Sequence, residues 1–313
     1  MIGYILLAAV VIFIAVVAVR TIRFKPKPQP KISDQEYQFD KEGCVDALAQ
    51  LVRCKTVSYN DHTLEDDAEF DKLISLLPGL YPRVFDVCSV QQLPDRALLL
   101  RWPGKHPGDP AVLMAHYDVV PVNEENWEKP PFAAILEDGV LWGRGTLDTK
   151  VTFNGIFSAA NYLIGKGFQP ENDIYFAFSG GEEVNGKGAP NIVQYFLDHK
   201  IQPAIVVDEG GAVVENVFPG VKQPCGLIGI AEKGMMNAHS RTGSAGGHAS
   251  APKPHTPVGV LAAACKRIED HPFKAHIEGP AAQMFDTLGR YSTPLYRVIF
   301  ANICCFGCVI YML

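Results

Sequence analysis

Apolar and polar positions change register several times along the chain, and each register predicts a different element. From Ile2 to Val19 no residue is charged and nearly all are Ile, Leu, Val, Ala or Phe. As a helix rising ~1.5 Å per residue this run reaches about 27 Å, close to the ~30 Å hydrocarbon core of a bilayer. It lacks the polar stripe of a globular surface helix. The run therefore predicts a transmembrane anchor over residues 1–20. Arg20, Arg23, Lys25 and Lys27 follow at once, so the positive-inside rule predicts a single-pass membrane protein with its globular part in the cytoplasm. The rival is a cleavable signal peptide with Val16-Val17-Ala18 as its cleavage site, but the basic residues lie on the wrong side of the apolar run for that. Lys25-Pro26-Lys27-Pro28-Gln29-Pro30 predicts a stiff, extended linker over 21–32.

Beyond the linker the periods of 3.6 and 2 alternate. Val45, Leu48, Leu51 and Val52 share a helical face between Asp40 and Val52, and Glu69 to Leu77 is a second amphipathic run stopped by Pro78-Gly79. Ala97 to Leu100, Ala111 to Met114, Ile174 to Phe178 and Ala204 to Val207 are short apolar runs bounded by turn residues, the mark of buried strands. Between them lie helices over Val151–Leu163, with Phe153, Ile156, Phe157 and Ala160 on one face, and around Ile192–Leu197. Strand and helix in alternation predict an α/β fold, a helix-covered mixed sheet. The character changes after Gly226: strand-like Leu227–Ala231 and Met235–Arg241, a Gly-rich loop, then a helix from Pro257 to Glu269. We read 33–225 as one domain and 226–313 as part of a smaller α+β domain.

Composition narrows the classes. The 313 residues are 48% hydrophobic and 20% charged, which excludes a disordered or collagen-like chain. A net charge of -6 offers no broad footprint for nucleic acid. The eight cysteines are scattered until the terminal group Cys304, Cys305 and Cys308, and they form no paired zinc framework.

The chemistry collects where strands end, the usual place for function in an open α/β sheet. Four such ends carry acidic or imidazole groups: His116-Tyr117-Asp118, Asp148 after Trp142-Gly143-Arg144-Gly145, Gly180-Gly181-Glu182-Glu183, and Asp208-Glu209-Gly210-Gly211. Carboxylates brought together repel unless cations neutralise them, and His with Asp and Glu but no Cys suits zinc. In extended backbone, residues 116 and 118 project to one side, so Asp118 can hold one imidazole nitrogen of His116 and aim the other at a metal. Of the adjacent Glu182 and Glu183, one can bind metal while its neighbour moves a proton.

These motifs, Met114-Ala115-His116-Tyr117-Asp118-Val119-Val120-Pro121, Trp142-Gly143-Arg144-Gly145-Thr146-Leu147-Asp148-Thr149-Lys150, Ser179-Gly180-Gly181-Glu182-Glu183-Val184 and Val207-Asp208-Glu209-Gly210-Gly211, resemble the dinuclear-zinc exopeptidase family. That family includes carboxypeptidase S, aminoacylase and acetylornithine deacetylase. Trp127-Glu128-Lys129-Pro130-Pro131-Phe132 and the membrane anchor resemble the carboxypeptidase S and N-acyl amino acid hydrolase branch. The resemblance implies a catalytic domain with an inserted lid that forms a homodimer, and hydrolysis of a peptide or N-acyl amide bond next to a free carboxylate. It implies two zinc ions per complete subunit, with cobalt or manganese as substitutes. It makes His116 and Asp208 ligands of one ion, Asp148 the bridging carboxylate, Glu183 a ligand of the second, Glu182 the general base and Asp118 the clamp on His116. Gly246-Gly247-His248-Ala249-Ser250-Ala251-Pro252 matches the family's lid turn, so His248 would polarise the scissile carbonyl in the partner subunit.

The family's chain returns from the lid to finish the catalytic domain and supply a last histidine ligand. This sequence stops at Leu313, and Met284 to Tyr311 contains no histidine. The expectation is a C-terminally truncated chain with both domains incomplete, ending in a lid helix over the apolar Ile299–Leu313 run. The alternative to a hydrolase is a non-catalytic remnant that keeps one metal site and a dimerisation surface.

Overall fold

Continuous apolar runs, buried on both faces, build the centre of the fold. In the computed structural model, which describes residues 1–31, 33, 36–232, 234, 236–248, 250–251, 254–274, 276–277 and 279–310, the chain forms two compact units. One is Asp34–Glu209; the other combines Met1–Ser33 with Gly210–Leu313.

The first unit holds helices α2 (Lys41–Val52), α3 (Asp67–Leu80) and α4 (Pro82–Val87), then strands β1 (Ser89–Leu93), β2 (Ala97–Trp102) and β3 (His106–His116). A hairpin of β4 (Ile135–Glu137) and β5 (Val140–Trp142) follows, then α5 (Lys150–Gly165), β6 (Asn172–Ser179), α6 (Gly188–Asp198) and β7 (Ile205–Val207). The sheet order is β1-β2-β6-β3-β7, antiparallel across β1-β2-β6 and parallel across β6-β3-β7. Its two faces follow from the two-residue period of a strand. Leu98, Leu100, Trp102, Phe176 and Phe178 face one way and pack with α2 to α5, while Ala97, Leu99, Tyr175 and Ala177 face the other way, toward Ile192 and Phe196 of α6. The first face is closed by aromatic rings: Phe153 meets Phe178 at 4.5 Å edge-on, and Tyr81 stacks on Phe157 at 4.7 Å.

Several elements depart from the expected boundaries. Pro78 does not stop α3, which runs to Leu80. A proline in the last turn forfeits only one backbone bond, and the Tyr81 N–H still reaches the Leu77 carbonyl at 2.9 Å. Trp142 does not end a strand of the main sheet: β5 pairs only with β4, through the register Ile135 to Trp142. Asp148 is therefore carried by the loop into α5, and three ends of the main sheet remain, at β3, β6 and β7.

The second unit contains α1 (Ile2–Arg23), the hairpin β8 (Ala212–Val214) with β9 (Cys225–Leu227), and α7 (Pro257–Asp270), α8 (Gly279–Gly289), α9 (Pro294–Ala301) and α10 (Ile303–Ile310). The helix α1 extends past residue 20 to Arg23 and is long and apolar enough to cross a membrane. The change of unit falls at 209/210 rather than 225/226, because β8 pairs with β9 across the expected boundary. Of the expected 227–231 run only Leu227 lies in a strand, as the last residue of β9, and residues 236–241 are without strand pairing. Met235, Ala249, Pro252 and the tail 311–313 lie outside the described residues. As far as Ile310 the closing apolar run lies in two helices, with Asn302 between them donating to Thr21 Oγ1 at 3.2 Å and to the Val298 carbonyl at 2.9 Å.

Candidate metal centre

His116 ends β3 and is 2% exposed; Asp118, two residues on, is wholly buried. The His116 Nδ1–H donates to the Asp118 backbone carbonyl at 3.0 Å, with the Asp118 Oδ1 at 3.3 Å. A carbonyl only accepts, so Nδ1 carries a proton and Nε2 is the free coordinating position. Nε2 faces carboxylates: Asp148 Oδ1 at 3.1 Å, Glu209 Oε1 at 3.2 Å and Glu182 Oε2 at 3.9 Å. Burial opposes a charge on this imidazole, yet the Asp118 hydrogen bond and the charges of Asp118, Glu209 and Glu182 push its pKa up to about 10.

Asp118 is the hub of the site. Its carboxylate accepts from Ser58 Oγ at 2.6 Å and from the backbone N–H groups of Glu182 at 3.1 Å and Glu183 at 3.2 Å. Burial alone would raise its pKa, but the hydrogen bonds from His116 and Ser58 hold the carboxyl below its usual range. One buried carboxylate therefore orients the histidine and fixes the turn that carries both glutamates. Glu182 and Glu183 are raised instead, by burial first; among the charges around them, Glu209, Asp118 and Asp148 raise Glu182, and Asp148, Asp118 and Glu182 raise Glu183.

Two donor sets result. His116, Asp148 and Glu183 bring one ligand atom each to within 4.8 Å of one another, and so do His116, Glu182 and Glu209. One nitrogen and several carboxylate oxygens suit a divalent cation of the zinc, manganese or cobalt kind. The carboxylates need a positive centre, which is either a proton on His116 or a cation that replaces it.

The structure brings together His116, Asp118, Asp148, Glu182 and Glu183. It does not bring Asp208 to the cluster. Asp208 is exposed and accepts at 2.9 Å from the N–H of Glu209, whose carboxylate points to His116 instead. Successive residues at a strand end point to opposite sides, so only one of the pair can face inward. His248 is exposed in a loop of the other unit. Two supporting residues had no assigned role. Ser58 reaches Asp118 because residues 57 and 119 form a parallel bridge, and no local signal marks it. Lys150 was visible in the Asp148-Thr149-Lys150 motif. Its Nζ is buried and donates to the carbonyls of Leu51 at 3.0 Å and Cys54 at 2.7 Å, and burial lowers its pKa to about 7. It ties the start of α5, next to Asp148, to the end of α2.

Residues 112–300 match the model of peptidase family M20/M25/M40. The chain belongs to this family. This M20 chain is 33% identical over 304 residues to a carboxypeptidase S-like protein of Dictyostelium discoideum, covering 93% of this chain and 58% of that one. It is 33% identical over 314 residues to the N-fatty-acyl-amino acid synthase/hydrolase PM20D1 of Xenopus tropicalis (96% and 60%), and 35% identical over 243 residues to PM20D1 of Homo sapiens (75% and 48%). The M20 chain thus spans about half to three-fifths of the length of these curated relatives.

Proposed function

We propose that this M20 chain carries the metal centre of a hydrolase that cleaves a peptide or N-acyl amide bond next to a free carboxylate. The observation that carries the proposal is the convergence of Asp148, Glu182 and Glu209 on the Nε2 of one buried histidine whose other nitrogen is already occupied. The names of the relatives, a carboxypeptidase S-like protein and an N-fatty-acyl-amino acid synthase/hydrolase, support peptides or N-acyl amino acids as the substrate class.

A divalent ion held there, zinc or a substitute such as cobalt or manganese, would polarise the scissile carbonyl and acidify water at the site. His116, Asp148 and Glu183 would hold one such ion. Glu209, which also faces His116, would add a further carboxylate to the same cluster. Glu182 is the residue we assign to proton transfer. It is half exposed at the rim, and its raised pKa suits a group that takes a proton from water and returns it to a leaving amine. Asp118 keeps His116 in the tautomer that leaves Nε2 available. His248, in the turn that matches the family's lid, is assigned to the carbonyl of substrate bound by a second subunit in a homodimer. The helix α1 is assigned as a single-pass anchor, with Arg20, Arg23, Lys25 and Lys27 placing the globular units on the cytoplasmic side.

The test is hydrolysis of N-acyl amino acids by the purified full chain loaded with zinc, in wild type and Glu182→Gln. The expected result is turnover in wild type that falls about 100-fold or more in the variant at unchanged metal content. Metal bound without turnover would support the non-catalytic remnant instead.

A further inference from the structure

The first turn of helix α10 carries two adjacent cysteines, Cys304 and Cys305, and both are exposed free thiols. Arg20 Nη1 donates to Cys304 Sγ at 3.0 Å, and Cys305 Sγ lies 3.6 Å from Cys304 Sγ. Arg20 is the first charged residue after the apolar run of α1. The turn that presents the cysteines is fixed to the same stretch of α1: Asn302 donates to Thr21 Oγ1 at 3.2 Å, and α9 packs on α1.

With α1 in a bilayer, a charged residue at the end of its apolar run sits where hydrocarbon gives way to headgroups. The two thiols are therefore held at headgroup depth, beside a guanidinium. Hydrogen bonding from Arg20 holds the Cys304 thiol below its ordinary range, while its bond with Cys304 raises Cys305. The thiolate is the nucleophilic form of cysteine. An amphiphile with a long chain places that chain in the hydrocarbon and its polar end at the same depth.

We propose that Cys304 and Cys305 form an S-acylation site that accepts a long-chain acyl group from an acyl thioester. The Cys304 thiolate attacks the thioester carbonyl carbon and forms the new S–C bond. The donor's own C–S bond breaks, and its sulfur leaves as a thiolate that takes up the proton Cys304 has lost. No sulfur changes oxidation state. The product carries an acyl chain parallel to α1, which fastens the apolar α10 to the membrane surface. This inference rests on the membrane and cytoplasmic reading of α1 given above.

The experiment feeds an alkynyl long-chain fatty acid to eukaryotic cells expressing the full chain, then couples a dye to the recovered protein. A membrane-impermeant maleimide, applied after selective opening of the plasma membrane and read by peptide mass at the exposed Cys265, reports the sidedness independently. The expected result is a label removed by neutral hydroxylamine, lost about tenfold or more in a Cys304→Ser/Cys305→Ser chain, and reduced several-fold in Arg20→Gln at equal membrane content. An undiminished label in the double variant, an unlabelled wild type with Cys265 on the cytosolic side, or a Cys304–Cys305 disulfide would overturn the proposal. Cys265 on the opposite side would overturn it through its topological premise, and the maleimide result tells that failure from the others.

Discussion

The Asp118 carboxylate holds one edge of His116 while its remaining lone pairs receive the backbone N–H groups of Glu182 and Glu183. A single buried side chain thus sets both the direction of the histidine and the position of the two glutamates. Removing it should loosen the whole donor set. Asp118→Ala is expected to weaken divalent metal binding by about 10–100-fold, measured by competition with a chromophoric chelator. Ser58→Ala, which removes one of the bonds to Asp118, should give a smaller loss in the same direction.

The pair Asp208 and Glu209 offers a direct comparison. Glu209 lies 3.2 Å from the Nε2 of His116, while Asp208 is exposed and bonded to the neighbouring amide. Glu209→Gln should therefore lower metal affinity more than Asp208→Asn in the same competition assay. The reverse ranking would return the ligand role to Asp208.

Gly180 meets the ring of Tyr117 closely: a Cβ there would stand 2.7 Å from the Tyr117 Cζ. That ring is 2% exposed and is tied down by its hydroxyl donating to the Arg96 carbonyl at 2.7 Å. Gly180→Ala should lower stability by ~1–3 kcal/mol, seen as a drop in the thermal midpoint. It should also weaken metal binding, because the displaced backbone leads straight into Glu182 and Glu183.

Acid should expose a second network away from the metal centre. The Glu65 side chain is almost wholly buried, accepts from the Tyr59 N–H at 2.9 Å and pairs with Arg96 at 2.7 Å. Burial would raise its pKa, but these bonds, with His62, hold it below the ordinary 4.5. A depressed carboxyl contributes stability above its unfolded pKa and loses that contribution as pH falls through the folded value. Glu65→Gln should cost ~1–2 kcal/mol at neutral pH, and the gap from wild type should shrink as pH falls below the ordinary 4.5 and close once it passes the lower folded value, seen in denaturant titrations. A gap that persists there would show that packing, and not charge, accounts for the loss.

Much of this arrangement was legible in the sequence, for identifiable reasons. The strands β2, β3 and β6 are buried on both faces, so they read as continuous apolar runs. The edge strand β1, Ser-Val-Gln-Gln-Leu, is largely exposed and carries no such mark. His116, Asp118, Asp148, Glu182 and Glu183, which the structure brings together, stand out in the sequence because acidic or imidazole groups follow an apolar run, with glycines beside Asp148, Glu182 and Glu183. Which of Asp208 and Glu209 turns toward His116 is not readable, since it depends on the local turn of one strand end that composition does not encode. Ser58 was invisible for a different reason: its partner lies sixty residues away, and only the bridge between Val57 and Val119 brings them together.

The central claim is that these separated acidic groups and His116 form one cation site. Titration of the purified, metal-stripped full chain with zinc, beside its His116→Ala variant, tests it most directly. The account predicts zinc binding in wild type that a chelator reverses, weakened about 100-fold or more in the variant. Equal affinity in the two proteins would contradict it.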